Sequence, residues 1–152
     1  MTSFEVVTLE PQQAAVVRAE VPMSELTGVF DRGFHLVMQA VQEQGLHVAA
    51  APFGFYPRMP GETVAVAVGF PVSEPFTPSG EVEAMELPGG RAIRGIHVGP
   101  YDALERTYRE LTAWAQEQGL ELAEGMWETY LSDPSAEPDP ATWRTEITWP
   151  VR

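Results

Sequence analysis

From Thr63 to Phe70, Val64, Val66, Val68 and Phe70 take every second position, with Ala65, Ala67 and Gly69 between them. Side chains two apart on a strand share a face, so this stretch is a strand with one bulky face and one small-residue face. Apolar, β-branched runs predict further strands over Phe4 to Leu9, Ala14 to Val21, Val48 to Tyr56, Val82 to Leu87, Arg91 to Val98, Met126 to Leu131 and Thr142 to Trp149. Two stretches change period. Leu26, Phe30, Phe34, Val37 and Val41 recur at helical intervals, as do Leu104, Tyr108, Leu111 and Ala115 with Trp114 beside them. Ser24 offers an N-cap oxygen to the first helix, and Gly99-Pro100-Tyr101-Asp102 opens the second. Gly45 and Gly119 end them where a left-handed residue is favoured. Glu10-Pro11-Gln12-Gln13, Pro60-Gly61, Pro88-Gly89-Gly90 and Asp133-Pro134 read as turns, with Gly89-Gly90 as a hairpin. Short turns predict antiparallel neighbours.

The pattern occurs twice. Val41-Gln42-Glu43-Gln44-Gly45-Leu46 returns 74 positions later as Ala115-Gln116-Glu117-Gln118-Gly119-Leu120. The same displacement lays Phe53-Gly54-Phe55-Tyr56 on Trp127-Glu128-Thr129-Tyr130, and Phe70-Pro71-Val72 matches Trp149-Pro150-Val151 at a displacement of 79. Residues 1–152 are therefore expected to be one domain made of two repeats, about 4–73 and 80–152, joined by the proline-rich Ser73 to Gly80. Each repeat runs strand, strand, helix, strand, strand. Two such units bury their apolar faces best about an approximate two-fold axis, which predicts an α+β fold of antiparallel sheet with two main helices. Ligand sites favour the meeting of such halves.

That symmetry draws attention to Glu128, a carboxylate in an aromatic strand where glutamate is depleted. Its counterpart is Gly54, whereas Tyr130 and Tyr56 are matched. One half would thus bring a charged side chain and the other an empty position, as in a cleft with one polar anchor. Burial among rings would raise the pKa of Glu128, and an incoming lipophilic cation would offset the cost. Alternatively, Glu128 is an exposed strand residue paired with Arg144 or Arg94. The same acid serves as a general base if Tyr101 or Tyr130 acts as the acid. Tyr56 and Tyr130 otherwise stack as wall residues, and Tyr101 otherwise packs on the sheet. Trp149 and Phe55 are further candidate walls. Trp114 and Tyr108 read as core, as does Trp127, which alternates away from Glu128. His35, His47 and His97 show no metal-ligand spacing, so no metal is expected. His97, beside a turn, reads as a structural hydrogen-bonder.

Composition narrows the classes. With 22 acidic and 9 scattered basic residues the net charge is −13, which argues against a nucleic-acid surface. The absence of cysteine excludes disulfides and thiolate chemistry, and no signal-like or membrane-length apolar run is present, so a cytoplasmic location is expected. No cofactor motif is found: the Gly89-Gly90 pair lacks the context of a phosphate cradle, and no nucleophile-elbow spacing exists.

His97-Val98-Gly99-Pro100-Tyr101, Trp127-Glu128-Thr129-Tyr130-Leu131 with Asp133-Pro134, and Ile147-Thr148-Trp149-Pro150-Val151 stand in that order. Together with the duplicated element order, they resemble the GyrI-like small-molecule-binding family, akin to the effector-binding domains of AraC- and MerR-type regulators. The resemblance covers essentially the whole chain, leaves no room for a helix-turn-helix segment and so implies a stand-alone member. It implies that Glu128 engages lipophilic or cationic ligands in a central cleft. Bulky apolar or cationic aromatic molecules are then the expected partners, with Glu128, Tyr130, Tyr56, Tyr101, Gly54, Phe55 and Trp149 around them. As an alternative it implies a hydrolase opening cyclopropane-bearing, DNA-alkylating natural products, for which the residues would offer Glu128 as base and a tyrosine, Tyr101 foremost, as acid. A reading from another class is a protein-interaction module whose gathered acids mimic nucleic acid.

Overall fold

The computed structural model describes residues 3–58, 61–132 and 136–152. Pro60, Asp133 and Pro134, on which two of the expected turns rest, lie outside the described residues. The elements follow the sequence pattern: β1 (Phe4–Leu9), β2 (Gln12–Pro22), α1 (Leu26–Glu43), β3 (Phe53–Tyr56), β4 (Thr63–Pro71), β5 (Val82–Leu87), β6 (Gly90–Val98), α2 (Leu104–Glu117), β7 (Met126–Tyr130) and β8 (Arg144–Pro150). Gly45 and Gly119 follow the helices at φ of 68° and 69°, a region nearly free of cost only for glycine. Ser24 does not cap α1. β2 runs on to Pro22 and hands the chain into a tight turn over Met23–Glu25, so Ser24 falls inside that turn and no side chain caps the helix.

All eight strands form one antiparallel sheet in the order β1-β6-β8-β7-β3-β4-β2-β5. Outward from the central β7–β3 pair, each side presents the third, fourth and second strands of its own repeat. The outermost strand on each side is the first strand of the other repeat. This corrects the turn expected at Glu10-Pro11 and the hairpin expected at Gly89-Gly90. Leu9 pairs with Gly90 and Gln12 with Leu87, so the register carries through the corner unchanged. The chain from β1 into β2 and the chain from β5 into β6 are thus one continuous two-stranded ribbon. Pro11 and Pro88 lack the amide that a ladder needs, and there the ribbon bends without reversing. A Cβ on Gly89 would lie 2.7 Å from Pro11 Cδ, so the two bends are in contact.

The two helices sit on one face of the sheet, each over its own apolar cluster. Val37, Val41, Val66, Val68 and Phe70 pack beneath α1, and Ile93, Leu111, Ala115, Ile147 and Trp149 beneath α2. The opposite face of β3 and β7 is closed by Phe53, Trp127, Leu87, Ala14 and Val16. The helices are seated differently. A Cβ at Gly33 of α1 would run into Val68 Cγ2, which brings that helix close to β4. The equivalent position in α2 is Thr107, which is buried and hydrogen-bonded to His97.

Candidate functional site

Between the helices, above β3 and β7, lies a cleft of about 1430 Å³. Alternation along β7 points Met126, Glu128 and Tyr130 into it and sends Trp127 to the far face, as expected. Glu128 is 6% exposed. Each of its carboxylate oxygens accepts one phenol proton: Tyr130 Oη donates to Oε1 at 2.7 Å, and Tyr108 Oη donates to Oε2. The Tyr56 hydroxyl lies close to that of Tyr130 and to the same carboxylate.

No arginine pairs with Glu128 among the described residues; Arg94 pairs with Glu146 at 3.6 Å instead. The exposed, salt-bridged alternative is therefore not what the fold builds. Burial raises the pKa of Glu128, while the hydrogen bonds from Tyr108 and Tyr130 and the attraction of His97 hold it down. Burial, and then the facing carboxylate, push the Tyr108, Tyr130 and Tyr56 hydroxyls above the usual phenol range. An ionised Glu128 thus has two phenol dipoles to satisfy its lone pairs and, among the described residues, no salt-bridge partner; His97 is the one cation-forming group whose attraction it feels.

The repeat explains the placement. Gly54 pairs directly with Glu128 across the β3–β7 ladder, so the approximate two-fold passes between two residues that are also sequence equivalents. The space left by Gly54 is not a vacancy for a guest, however. A Cβ there would meet Phe30 Cε1 at 2.8 Å and Tyr130 Oη at 3.2 Å, so the protein's own aromatic wall fills it. Phe55 stands on the other face, packed on Trp127 with centroids 6.2 Å apart, and neither it nor Gly54 lines the cleft.

Tyr56, Tyr101, Tyr130 and Trp149 do line it. Tyr101 leans on Trp143 and Tyr130, at 4.9 Å and 5.9 Å between centroids. Trp149 donates its indole N–H to the Ala123 carbonyl at 2.9 Å and meets Tyr108 edge-on at 6.1 Å. Tyr108, expected in the core, does pack on the α2 cluster, but its hydroxyl also reaches Glu128 and it lines the cleft. The displacement of 74 that lays Glu128 on Gly54 also lays Tyr108 on Phe34, and that shared polar-for-apolar exchange was the available signal. Phe30, Phe34, Phe70 and Trp143 also line the cleft, on apolar stripes whose faces periodicity alone does not resolve.

His97, 4% exposed, bridges the end of β6 to the start of α2. The Pro100 carbonyl, 3.0 Å from Nε2, only accepts, so Nε2 donates to it, and Nδ1 is hydrogen-bonded with Thr107 Oγ1 at 2.7 Å. The imidazole is a strut that fixes where Tyr101 and Tyr108 sit. Among the described residues no group of His, Cys, Asp or Glu is placed to hold a metal ion, and no helix is long and apolar enough to cross a membrane.

A family model described as a GyrI-like small molecule binding domain matches residues 2–152. The chain belongs to the GyrI-like family. Among solved structures, this GyrI-like chain is similar to the EcmrR C-terminal domain, at 24% identity and a TM-score of 0.87, covering 100% of this chain and 98% of that one. In the EcmrR–DNA complex the likeness is 25% identity with a TM-score of 0.85 over 99% of this chain, which spans only 57% of the EcmrR chain. It also resembles SAV2435 bound to tetraphenylphosphonium, at 13% identity and a TM-score of 0.68, covering 99% of this chain and 94% of that one. A hydrolase from Listeria innocua shares the fold at 13% identity and a TM-score of 0.66, covering 98% of this chain and 91% of that one. No curated protein sequence matches the chain.

Proposed function

We propose that this GyrI-like domain binds bulky, apolar, cationic aromatic molecules in the cleft between its repeats, with Glu128 as the charge anchor. One observation carries the reading: a buried acid with no salt-bridge partner among the described residues faces a cleft walled by aromatic rings. A buried, unpaired carboxylate is costly, and a delocalised cation supplies the missing charge with little dehydration of its own. The rings add cation–π attraction of roughly 0.5–2 kcal/mol. SAV2435, which shares the fold, is bound to a cation of this chemistry. The test is calorimetric titration with tetraphenylphosphonium and with neutral triphenylphosphine oxide. Preference for the cation by tenfold or more supports the reading, and equal affinity removes it.

The pairing of a raised-pKa acid with two phenols gives a second reading, a hydrolase for strained electrophilic rings. The hydroxyls at Glu128 are those of Tyr108 and Tyr130 rather than Tyr101, so they would supply the acid. The same two bonds stabilise the carboxylate and weaken it as a base, which favours binding over turnover.

A further inference from the structure

We infer that the cleft holds two different guests at once: a cation in the lobe beneath α2, and an uncharged aromatic molecule in a separate lobe beneath α1. The α2 lobe rests on the cation-binding reading above; the α1 lobe does not. The two lobes are repeat equivalents with opposite chemistry. At a displacement of 74, Tyr108 stands on Phe34 and Glu128 on Gly54, and at 79 Trp149 stands on Phe70. The buried polar pair of the α2 lobe, Tyr108 and Glu128, thus has apolar counterparts in the α1 lobe, whereas at the rim Glu105 is matched by Asp31.

The α1 lobe is a continuous aromatic wall. Phe34 lies 5.6 Å from both Phe30 and Phe70, and Phe30 meets Tyr130 edge-on at 5.5 Å. Phe30 and Phe34 are only half-buried, so ring surface is open to a guest. The charged residues on that side, Asp31 and Arg58, are exposed at the rim, and Arg58 is paired with Glu20 at 2.7 Å. A cation placed there would have no partner at depth, whereas a neutral ring loses nothing. The cleft's volume of about 1430 Å³ also exceeds the roughly 300–1,000 Å³ typical of a site for one small ligand. Between the lobes, Phe30 against Gly54 and the Tyr56–Tyr130 pair form a partition over the two-fold axis.

N-phenyl-1-naphthylamine, a neutral fluorescent aromatic, is titrated alone and under saturating tetraphenylphosphonium. Retained binding, with less than a threefold change in Kd under the cation, supports two guests. One-for-one displacement overturns the inference and leaves the cation reading intact. Failure of the neutral probe to bind also overturns it. If the probe binds and tetraphenylphosphonium does not, the cation reading falls and the α1 lobe stands. Phe34→Asn is expected to weaken the probe tenfold or more with tetraphenylphosphonium changed less than threefold, and Glu128→Gln to do the reverse. Leu26→Gln, at the half-exposed mouth of the same lobe, repeats the first comparison should Phe34→Asn not fold. Equal effects of either lobe's variants on both probes would contradict separate lobes.

Discussion

Replacing Glu128 by glutamine removes one charge and little else. The side chain keeps its length, and its amide oxygen still accepts one phenol proton. The other tyrosine rotates its hydroxyl to accept from the amide nitrogen. The cost of desolvating the carboxylate is met on folding, so it does not enter the binding step, and desolvation of the ligand is common to both proteins. What separates them is the Coulomb attraction. At about 5 Å and an effective dielectric of about 20, appropriate even to buried sites, that is about 3 kcal/mol. Tetraphenylphosphonium is therefore expected to bind Glu128→Gln on the order of a hundredfold more weakly, while triphenylphosphine oxide changes less than threefold. Calorimetry on both proteins at pH 8 reads this directly. Because burial raises the pKa of the free Glu128, binding a cation must expel its proton at low pH. Affinity then rises with pH through that raised pKa, by up to tenfold per pH unit, and levels off above it. Glutamine removes the slope. Stability takes the opposite sign: the folded state holds the Glu128 proton more tightly than the unfolded chain, so this residue's contribution falls as pH rises from the ordinary carboxylate value through the folded one. Glu128→Gln is expected to be at least as resistant to urea at pH 8 as the parent. Equal losses for both ligands, a pH-independent affinity, or a destabilised glutamine variant would each refute the anchor.

Tyr108→Phe withdraws one of the two hydrogen bonds that hold the Glu128 pKa down; the affinity–pH curve should move to higher pH, so that the loss is greatest at low pH and shrinks as pH rises, and an unmoved curve contradicts the role. Thr107→Val leaves His97 Nδ1 buried without a partner and should cost about 1–3 kcal/mol in urea unfolding, together with weaker cation binding; a loss confined to stability would show that the strut does not position the site. In α1, Gly28→Ala meets nothing within 4 Å and should stabilise by up to about 1 kcal/mol. Gly33→Ala runs into Val68, where overpacking of about 1–3 kcal/mol outweighs that gain; equal thermal shifts in the two variants would contradict the close seating of α1.

Strands and helices were legible in the sequence because each repeat writes its periodicity plainly, as in Val64, Val66 and Val68 of β4. The repeat also singled out Glu128 and set Gly54 against it, which the β3–β7 ladder then places face to face. Pairing partners were not legible. Pro11 and Pro88 signal a break in a ladder, but a break is compatible with reversal or with a bend, and only the long-range pairing of Leu9 with Gly90 settles it. The strut was half legible. His97 beside a turn suggested a hydrogen bond, whereas its partner Thr107 sits ten positions away on α2. The contact of Tyr108 with Glu128 was not legible because an aromatic residue on an apolar helical stripe carries no local sign of whether its hydroxyl meets a carboxylate. The room beside Gly54 was likewise misjudged, since nothing in the sequence places the Phe30 ring there.

The most direct measurement is the position of a bound cation. A crystal soaked with tetraphenylarsonium, in which arsenic replaces the phosphorus of tetraphenylphosphonium, locates the cationic centre by anomalous scattering. Anchoring by Glu128 predicts a single strong arsenic peak inside the cleft, about 5 Å from the Glu128 carboxylate and on the Tyr108–Trp149 side of Tyr130. A peak confined to the exposed acids, or one seated against Phe34 and Phe70 away from Glu128, would contradict it.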